Sequence, residues 1–288
     1  MNKDNSNPAH HIAFQGELGA YSHLACTIAF PEMTPLPQAA FEDAFSAVEE
    51  GRAGLALIPV ENSVAGRVAD IHHLLPASRL HIIGEFFLPV NHHLLALKGA
   101  TLADIREVRS HVHALGQCRR FLRDRGLRPV VAADTAGSAA EVAGRGDKSV
   151  AAIASQLAGQ IYGLDSLAAN IEDADHNTTR FLVMARDAVP VDPSSGPIVT
   201  SFLFRVRNVP AALYKVLGGF ATNGVNMTKL ESYQIDGTFS ATQFFADIEG
   251  HPDQPNVRLA FEELGFYSRE VRILGVYPAS TFRFKTRA

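Results

Sequence analysis

The sequence predicts an α/β fold in two domains, on three observations. Short apolar runs alternate with helix-length segments from residue 11 to residue 186, the pattern of a sheet with helices on its faces. A stretch containing Pro and Gly but no apolar periodicity, DAVPVDPSSGP (187–197), interrupts that pattern and reads as a linker. Beyond it the order becomes β-α-β-β-α-β through 198–280. A chain of 288 residues has the length for two such cores.

In the first domain the apolar runs place strands at 11–14, 54–60, 80–87, 92–97, 107–110, 129–133, 149–155 and 179–185. The segments between them predict helices at 22–29, 40–50, 68–75, 115–124, 136–143 and 155–159. The alternation implies a mostly parallel sheet, which binds ligands where the carboxyl ends of its strands meet helix N-termini. In the second domain, strands are expected at 200–207, 226–234, 239–249 and 270–277, with helices at 210–222 and 254–264. Pro210 suits a first helical turn, and Asp236-Gly237 is a hairpin signal between the two middle strands. This order is the ferredoxin-like plan.

Composition removes several function classes. Hydrophobic residues make up 47% and charged residues 19%, the balance of an ordinary globular chain. A net charge of −4 lacks the Lys/Arg excess that a nucleic-acid or membrane surface needs, so neither partner is expected. An anionic ligand would have to be attracted by a few local groups. Cys26 and Cys118 make no disulfide framework and have no zinc-site spacing, which suits a reducing cytoplasm. The polar opening MNKDNSNPAHH shows no basic region followed by an apolar one, and apolar runs such as LHIIGEFFLPV are interrupted by Glu85 and Pro89.

Four stretches carry residues suited to chemistry. In FQGELGAYS (14–22) a strand runs into Gly16 and Gly19, and Ser22 opens a helix; this is either a capped structural turn or an anion-binding loop. In IPVENSVAG (58–66) Glu61 and Asn62 leave an apolar strand, followed by Ser63. Glu61 is a candidate proton carrier and Asn62 a donor, unless Asn62 or Ser63 simply caps a helix. In SHVHALGQC (110–118) Ser110 ends a strand and Gln117 follows on the helix, while His111 and His113 lack a third ligand for a metal. In HNTTRFLVMA (176–185) Thr178, Thr179 and Arg180 enter a buried-looking strand. Arg180 suits a bidentate carboxylate grip, and a neighbouring hydroxyl suits a leaving oxygen. Histidines adjacent on a strand point to opposite faces and do not converge.

In this order the segments GELGAYS (16–22), PVENS (59–63), SHVHALGQC (110–118) and NTTRF (177–181) resemble the prephenate dehydratase family. DTAGSAAEVA (134–143) and NIED (170–173) do so too, and the resemblance covers about residues 11–186. It implies a two-lobed catalytic domain similar to periplasmic binding proteins, one lobe joining 11–95 to 170–186 and the other spanning 96–169. The second domain resembles the ACT regulatory module. By motif match Thr179 takes the place of the essential hydroxyl, with Glu61, Asn62, Ser110 and Gln117 as catalytic or binding partners. Arg180, Thr178, Ser22 and Ser63 fall at substrate-binding positions.

The implied reaction is loss of water and carbon dioxide from prephenate to give phenylpyruvate. Aromatisation drives it, so no cofactor and no metal is implied. The implied effector is L-phenylalanine, bound in a homo-oligomer (dimer or tetramer). Its site would involve Ala211, Ala212 and Leu213; Asn223, Gly224, Val225 and Asn226; and Glu231 with Ser232. The family's G-A-L and E-S-R-P segments read PAAL (210–213) and ESYQ (231–234) in this chain, replacing a glycine by Ala211 and Arg-Pro by Tyr233-Gln234. The rival readings are an arogenate dehydratase and, from a different class, a two-lobed solute-binding sensor.

Overall fold

The computed structural model describes residues 7–71, 73–207, 209–234 and 241–285. Its first half runs β1 (His11–Gln15), α1 (Tyr21–Ala29), β2 (Thr34–Gln38), α2 (Phe41–Glu49), β3 (Leu55–Asn62), β4 (Gly66–Arg67), α3 (Leu74–Ala77) and β5 (His81–Pro89). It continues with β6 (His93–Ala96), β7 (Glu107–Ser110), α4 (Val112–Gln117), α5 (Arg119–Asp124), β8 (Arg128–Val131), α6 (Thr135–Arg145), β9 (Val150–Ala154), α7 (Gln156–Tyr162), β10 (Asp165–Ala169) and β11 (Thr178–Ala185). The last third holds β12 (Ile198–Val206), α8 (Ala212–Thr222), β13 (Met227–Gln234), β14 (Ala241–Glu249), α9 (Pro255–Tyr267), β15 (Ser268–Pro278) and α10 (Phe282–Lys285). Two compact units result, Met1–Ile71 with Phe86–Phe181, and His72–Glu85 with Leu182–Ala288.

Three sheets organise these elements, in the strand orders β2-β1-β3-β11-β5 (with β4 on β3), β10-β6-β9-β7-β8 and β13-β14-β12-β15. The apolar runs that predicted strands are central ones. All five residues of β9 are buried, as are the last six of β11, because both faces of those strands are covered. The first sheet is parallel where β1 pairs with β2 and β3. The second is mixed. Its β7 runs parallel to β8 and β9, while β6 lies antiparallel to both β9 and β10, so the expected mostly parallel arrangement holds only in part.

Local differences from the sequence reading have local causes. The strand β2 (TPLPQ) was not expected because it contains two prolines. They share one parity on an edge strand, which leaves the residues between them for the ladder. The short β10 was also missed. In place of a helix over 68–75 there is a 3-10 turn, Ala69–Ile71, and then α3, whose first turn admits Pro76 without a missing donor. The helix expected over 115–124 begins earlier and is divided at Cys118, whose φ of −118° and ψ of 25° are not helical. There the Asp173 carboxylate accepts from the Arg120 amide at 3.2 Å and opens the second helix. The Asp236-Gly237 hairpin lies outside the described residues, although β13 and β14 do pair antiparallel.

The last sheet has the ferredoxin-like order: numbered within its unit, its strands lie 4-1-3-2. The helices α8 and α9 close one face over Phe202, Phe204, Phe220, Phe244 and Phe261, whose neighbouring ring centroids lie 4.9–5.9 Å apart. Among the described residues no helix is long and apolar enough to cross a membrane.

Candidate active site

The β3–β11 pair splits the NTTRF and PVENS residues by alternation. Side chains adjacent on a strand point to opposite faces, so Thr179 and Asn62 share one face and Arg180 and Glu61 the other. On the first face the Asn62 Nδ2 donates to Asn177 Oδ1 at 2.8 Å and to Thr179 Oγ1 at 3.0 Å. Asn62 Oδ1 meanwhile accepts from the amides of Val64 and Ala65 at 2.9 and 2.7 Å, which leaves its amide group one orientation. Ser63 fastens the approach to β11. Its Oγ donates to the His176 carbonyl at 2.6 Å and accepts from the Thr178 amide at 2.9 Å.

On the other face Arg180 is 3% exposed, and its Nη1 donates to Glu61 Oε1 at 2.9 Å. A guanidinium cannot shed its charge, so burial obliges it to have an anion beside it. The sequence reading placed Glu61 with Thr179 and gave Arg180 a substrate carboxylate. The structure instead pairs these two with each other, so Glu61 is separated from the Thr179 hydroxyl.

The polar set extends from Asn177 across the unit. Asn177, 3% exposed, donates from Nδ2 to Gln117 Oε1 at 3.1 Å. The same oxygen lies 2.7 Å from His92 Nε2, and His92 Nδ1 lies 2.7 Å from the Tyr21 hydroxyl. The Tyr21 hydroxyl is also 3.1 Å from the Asn91 carbonyl, and the two rings meet edge to face. The His92 amide donates to Glu172 Oε2 at 2.8 Å, and the Gln117 carbonyl accepts from the Asp173 amide at 2.6 Å. The NIED segment is therefore the clip between the α4–α5 junction and the residue that leads into β6. Burial pushes the His92 imidazole below its ordinary value, against the opposing pull of Gln117 and Glu172, and raises the Tyr21 phenol well above its own.

Other expected residues are placed differently. Ser110 is fully buried and donates to the Ile153 carbonyl at 2.6 Å, so it bridges strands and presents nothing to a ligand. Ser22 is the second residue of α1. The helix starts from Ala20 with no side-chain cap, and His23 fastens the loop before it, its Nδ1 accepting from the Gly19 amide at 2.9 Å. Gly19 (φ +93°) has to be glycine, because a Cβ there would stand 2.9 Å from Ala158 Cα. The Gly19 carbonyl accepts from Ser155 Oγ at 2.6 Å, which seats the loop on the start of α7. His111 caps its own helix turn through the His113 amide. Among the described residues no group of three His, Cys, Asp or Glu side chains is arranged to hold a metal ion.

In the ferredoxin-like unit the expected effector residues fall at two ends. Ala211 precedes α8 in the left-handed region (φ +62°), Ala212 is buried, and Leu213 packs on the core. Ser232 and Phe204 both register with Phe244, which puts Glu231 and Ser232 at the same end as these three. Residues 223–226 follow the far end of the eleven-residue α8, about 16 Å away along its axis. There Asn223 donates to the Gly219 carbonyl and to Glu263, both at 2.8 Å. Val225 is buried, Gly224 makes the left-handed turn, and Asn226 donates to Glu249. Within one chain this loop is a structural tie, remote from Ala211. Glu231 is paired with Lys229 at 2.6 Å.

Sequence reasoning had Thr179, Asn62 and Gln117 and lacked the residues that orient them. Asn177 stood in a recognised motif without a role. Tyr21 lay in GAYS but was passed over for Ser22. His92 was set aside among the paired histidines, although adjacent residues entering a strand face opposite ways, which leaves His92 buried just before β6 and His93 half-buried at its start; that was the available signal.

These features define a two-lobed α/β enzyme of the periplasmic-binding-protein type, joined to a ferredoxin-like unit. The family model for prephenate dehydratase matches residues 12–189, and the chain belongs to that family, whose members are lyases acting on prephenate. It is 53% identical over 274 residues to a bifunctional N-acyl-homoserine lactone acylase/prephenate dehydratase of Komagataeibacter europaeus, covering 95% of this chain and 98% of that one. It is 39% identical over 286 residues to the chloroplastic arogenate dehydratase/prephenate dehydratase 1 of Arabidopsis thaliana, covering 94% and 73%. The solved prephenate dehydratase of Arthrobacter aurescens in complex with L-Phe superposes with a TM-score of 0.85 at 29% identity, covering 93% and 89%.

Proposed function

We propose that the chain converts prephenate to phenylpyruvate in phenylalanine biosynthesis, with the Thr179 hydroxyl assisting the departing ring hydroxyl. The observation that carries this reading is the Asn62 amide. It donates into Thr179 Oγ1, so the threonine proton is directed to a further acceptor. A hydroxyl that already accepts a hydrogen bond is the stronger donor. In the reaction the ring carboxylate leaves as carbon dioxide and its bonding electrons enter the ring. The C4–O bond breaks, and the hydroxyl takes up one proton and leaves as water. Threonine is a weak acid, so its part is hydrogen-bond stabilisation of the leaving oxygen. The uncapped first turn of α1 and the Gln117 amide nitrogen supply donors for the substrate's carboxylates.

The ion pair of Arg180 with Glu61 leaves Arg180 a supporting role: it holds β3 against β11 behind Thr179. L-phenylalanine is the proposed effector, supported by the relative crystallised with it, and a homo-oligomer is the proposed assembly. The two buried, unpaired thiols suit a cytoplasmic protein. Arogenate is the rival substrate, as in the Arabidopsis relative's name. Cleavage of N-acyl-homoserine lactones is a second reading, favoured by the bacterial relative that is 53% identical.

Purified protein is assayed with prephenate, arogenate and an N-acyl-homoserine lactone, following phenylpyruvate, phenylalanine and released homoserine lactone, with and without L-phenylalanine. Turnover of prephenate is expected, with loss of about 100-fold or more in Thr179→Val at an unchanged melting temperature. A Thr179→Val variant with full turnover would remove the proposed role.

A further inference from the structure

We propose that His92 is the positioning residue for Gln117, held by Tyr21 so that the Gln117 amide turns its carbonyl inward and presents its NH2 group to the substrate.

The argument is one of donor and acceptor counting. Gln117 Oε1 stands 2.7 Å from His92 Nε2 and 3.1 Å from Asn177 Nδ2. Asn177 cannot reverse, because its Oδ1 already accepts from Asn62, whose own carbonyl is taken by two backbone amides. The Asn177 end is therefore a donor. His92 must also donate from Nε2 if both contacts are to be bonds, which in a neutral ring leaves Nδ1 as the acceptor. The Tyr21 hydroxyl has one proton; with Nε2 donating, Nδ1 carries none of its own, so the Tyr21 proton goes to Nδ1 at 2.7 Å in place of the Asn91 carbonyl at 3.1 Å. Two donor chains, one from Tyr21 through His92 and one from Asn62 through Asn177, thus converge on a single oxygen. A flipped Gln117 would set its NH2 against two N–H groups in a buried site. Neither the Gln117 NH2 group nor the Thr179 proton is consumed inside this network, and these two remain for a ligand.

Burial favours the neutral His92 ring that this arrangement uses, and the Glu172 carboxylate holds the His92 backbone rather than its side chain. No direct contact of His92 with substrate is needed, since the residue is 2% exposed.

The inference rests on the dehydratase reading for its kinetic test alone. His92→Phe removes the donor, and His92→Gln offers an amide N–H in its place. The Phe variant is expected to lose about 30-fold in kcat/KM for prephenate, the order set by one buried donor lost to Gln117, while the Gln variant stays within about 5-fold of wild type. In a Gln117→Ala background His92→Phe is expected to have no further effect, because the two act through one group. Equal loss in both His92 variants, or effects that multiply, would overturn the proposal.

Nitrogen NMR of labelled protein tests the geometry without turnover. The wild type is expected to show His92 in the Nε2–H tautomer, and Tyr21→Phe to give a mixture of tautomers. A wild-type Nδ1–H tautomer, or a tautomer indifferent to Tyr21→Phe, counts against the proposal. This second measurement decides the matter if His92→Phe fails to fold or if prephenate is not the substrate.

Discussion

Ala211 stands just before α8 with φ +62° and ψ 11°, in the left-handed region. An L-residue there brings its Cβ against the following carbonyl, at about 1–2 kcal/mol. Glycine relieves that contact but returns about 0.4–1 kcal/mol through the larger freedom of its unfolded chain. Ala211→Gly is therefore expected to stabilise the protein by about 0.5–1 kcal/mol. That corresponds to about 1–4 °C in melting temperature for a chain this long. Urea unfolding measures it directly, as a higher midpoint at an unchanged slope. The control is Ala221→Gly in the last turn of α8, where the same chemical change meets right-handed backbone and is expected to cost about 0.5 kcal/mol. Opposite signs at the two sites would assign the gain to the backbone conformation. If Ala211→Gly destabilises, or both variants lose alike, strain at Ala211 is not the cause. This is the position where PAAL (210–213) departs from the G-A-L segment of the module that the second domain resembles.

The Arg180–Glu61 pair predicts an order. Glu61→Gln leaves a guanidinium at 3% exposure without that carboxylate and is expected to cost about 3–5 kcal/mol. Arg180→Met leaves a carboxylate that is 35% exposed and can be hydrated, at about 1–3 kcal/mol. Urea denaturation of both variants checks this, and the reverse order would mean that the charge on Arg180 is balanced elsewhere. For pH, burial is the main cause lowering His23, His92, His93 and His111 from the ordinary imidazole value. The unfolded chain then binds more protons than the folded one below about pH 6.5, so this stability is complete above that value and drains away as the pH falls through the folded values. The urea midpoint should be level from about pH 7 to 8 and fall between about 6.5 and 5, less steeply in His92→Gln; a midpoint that rises on acidification contradicts the assignment.

Much of the architecture was legible in the chain. The apolar runs of β3, β9 and β11 announced central strands, and the alternation after residue 197 announced the ferredoxin-like order. Elements that broke those patterns were hidden. The edge strand β2 carries two prolines, and the break at Cys118 depends on the Asp173 carboxylate, which is distant in sequence.

The sequence by itself determined the fold class and the motif set that holds Thr179, Asn62 and Gln117, because strand periodicity and residue spacing are local properties. Only the tertiary structure decided the company each residue keeps. Glu61 and Asn62 are neighbours in the chain, yet the pleat turns one towards Arg180 and the other towards Thr179, 117 residues further on. Ser110 sits in a motif and is sealed between strands, while His92, outside every motif, bridges Tyr21 and Gln117. Hydrogen-bond partnership is set by which strand lies beside which, and that pairing is made across the whole chain.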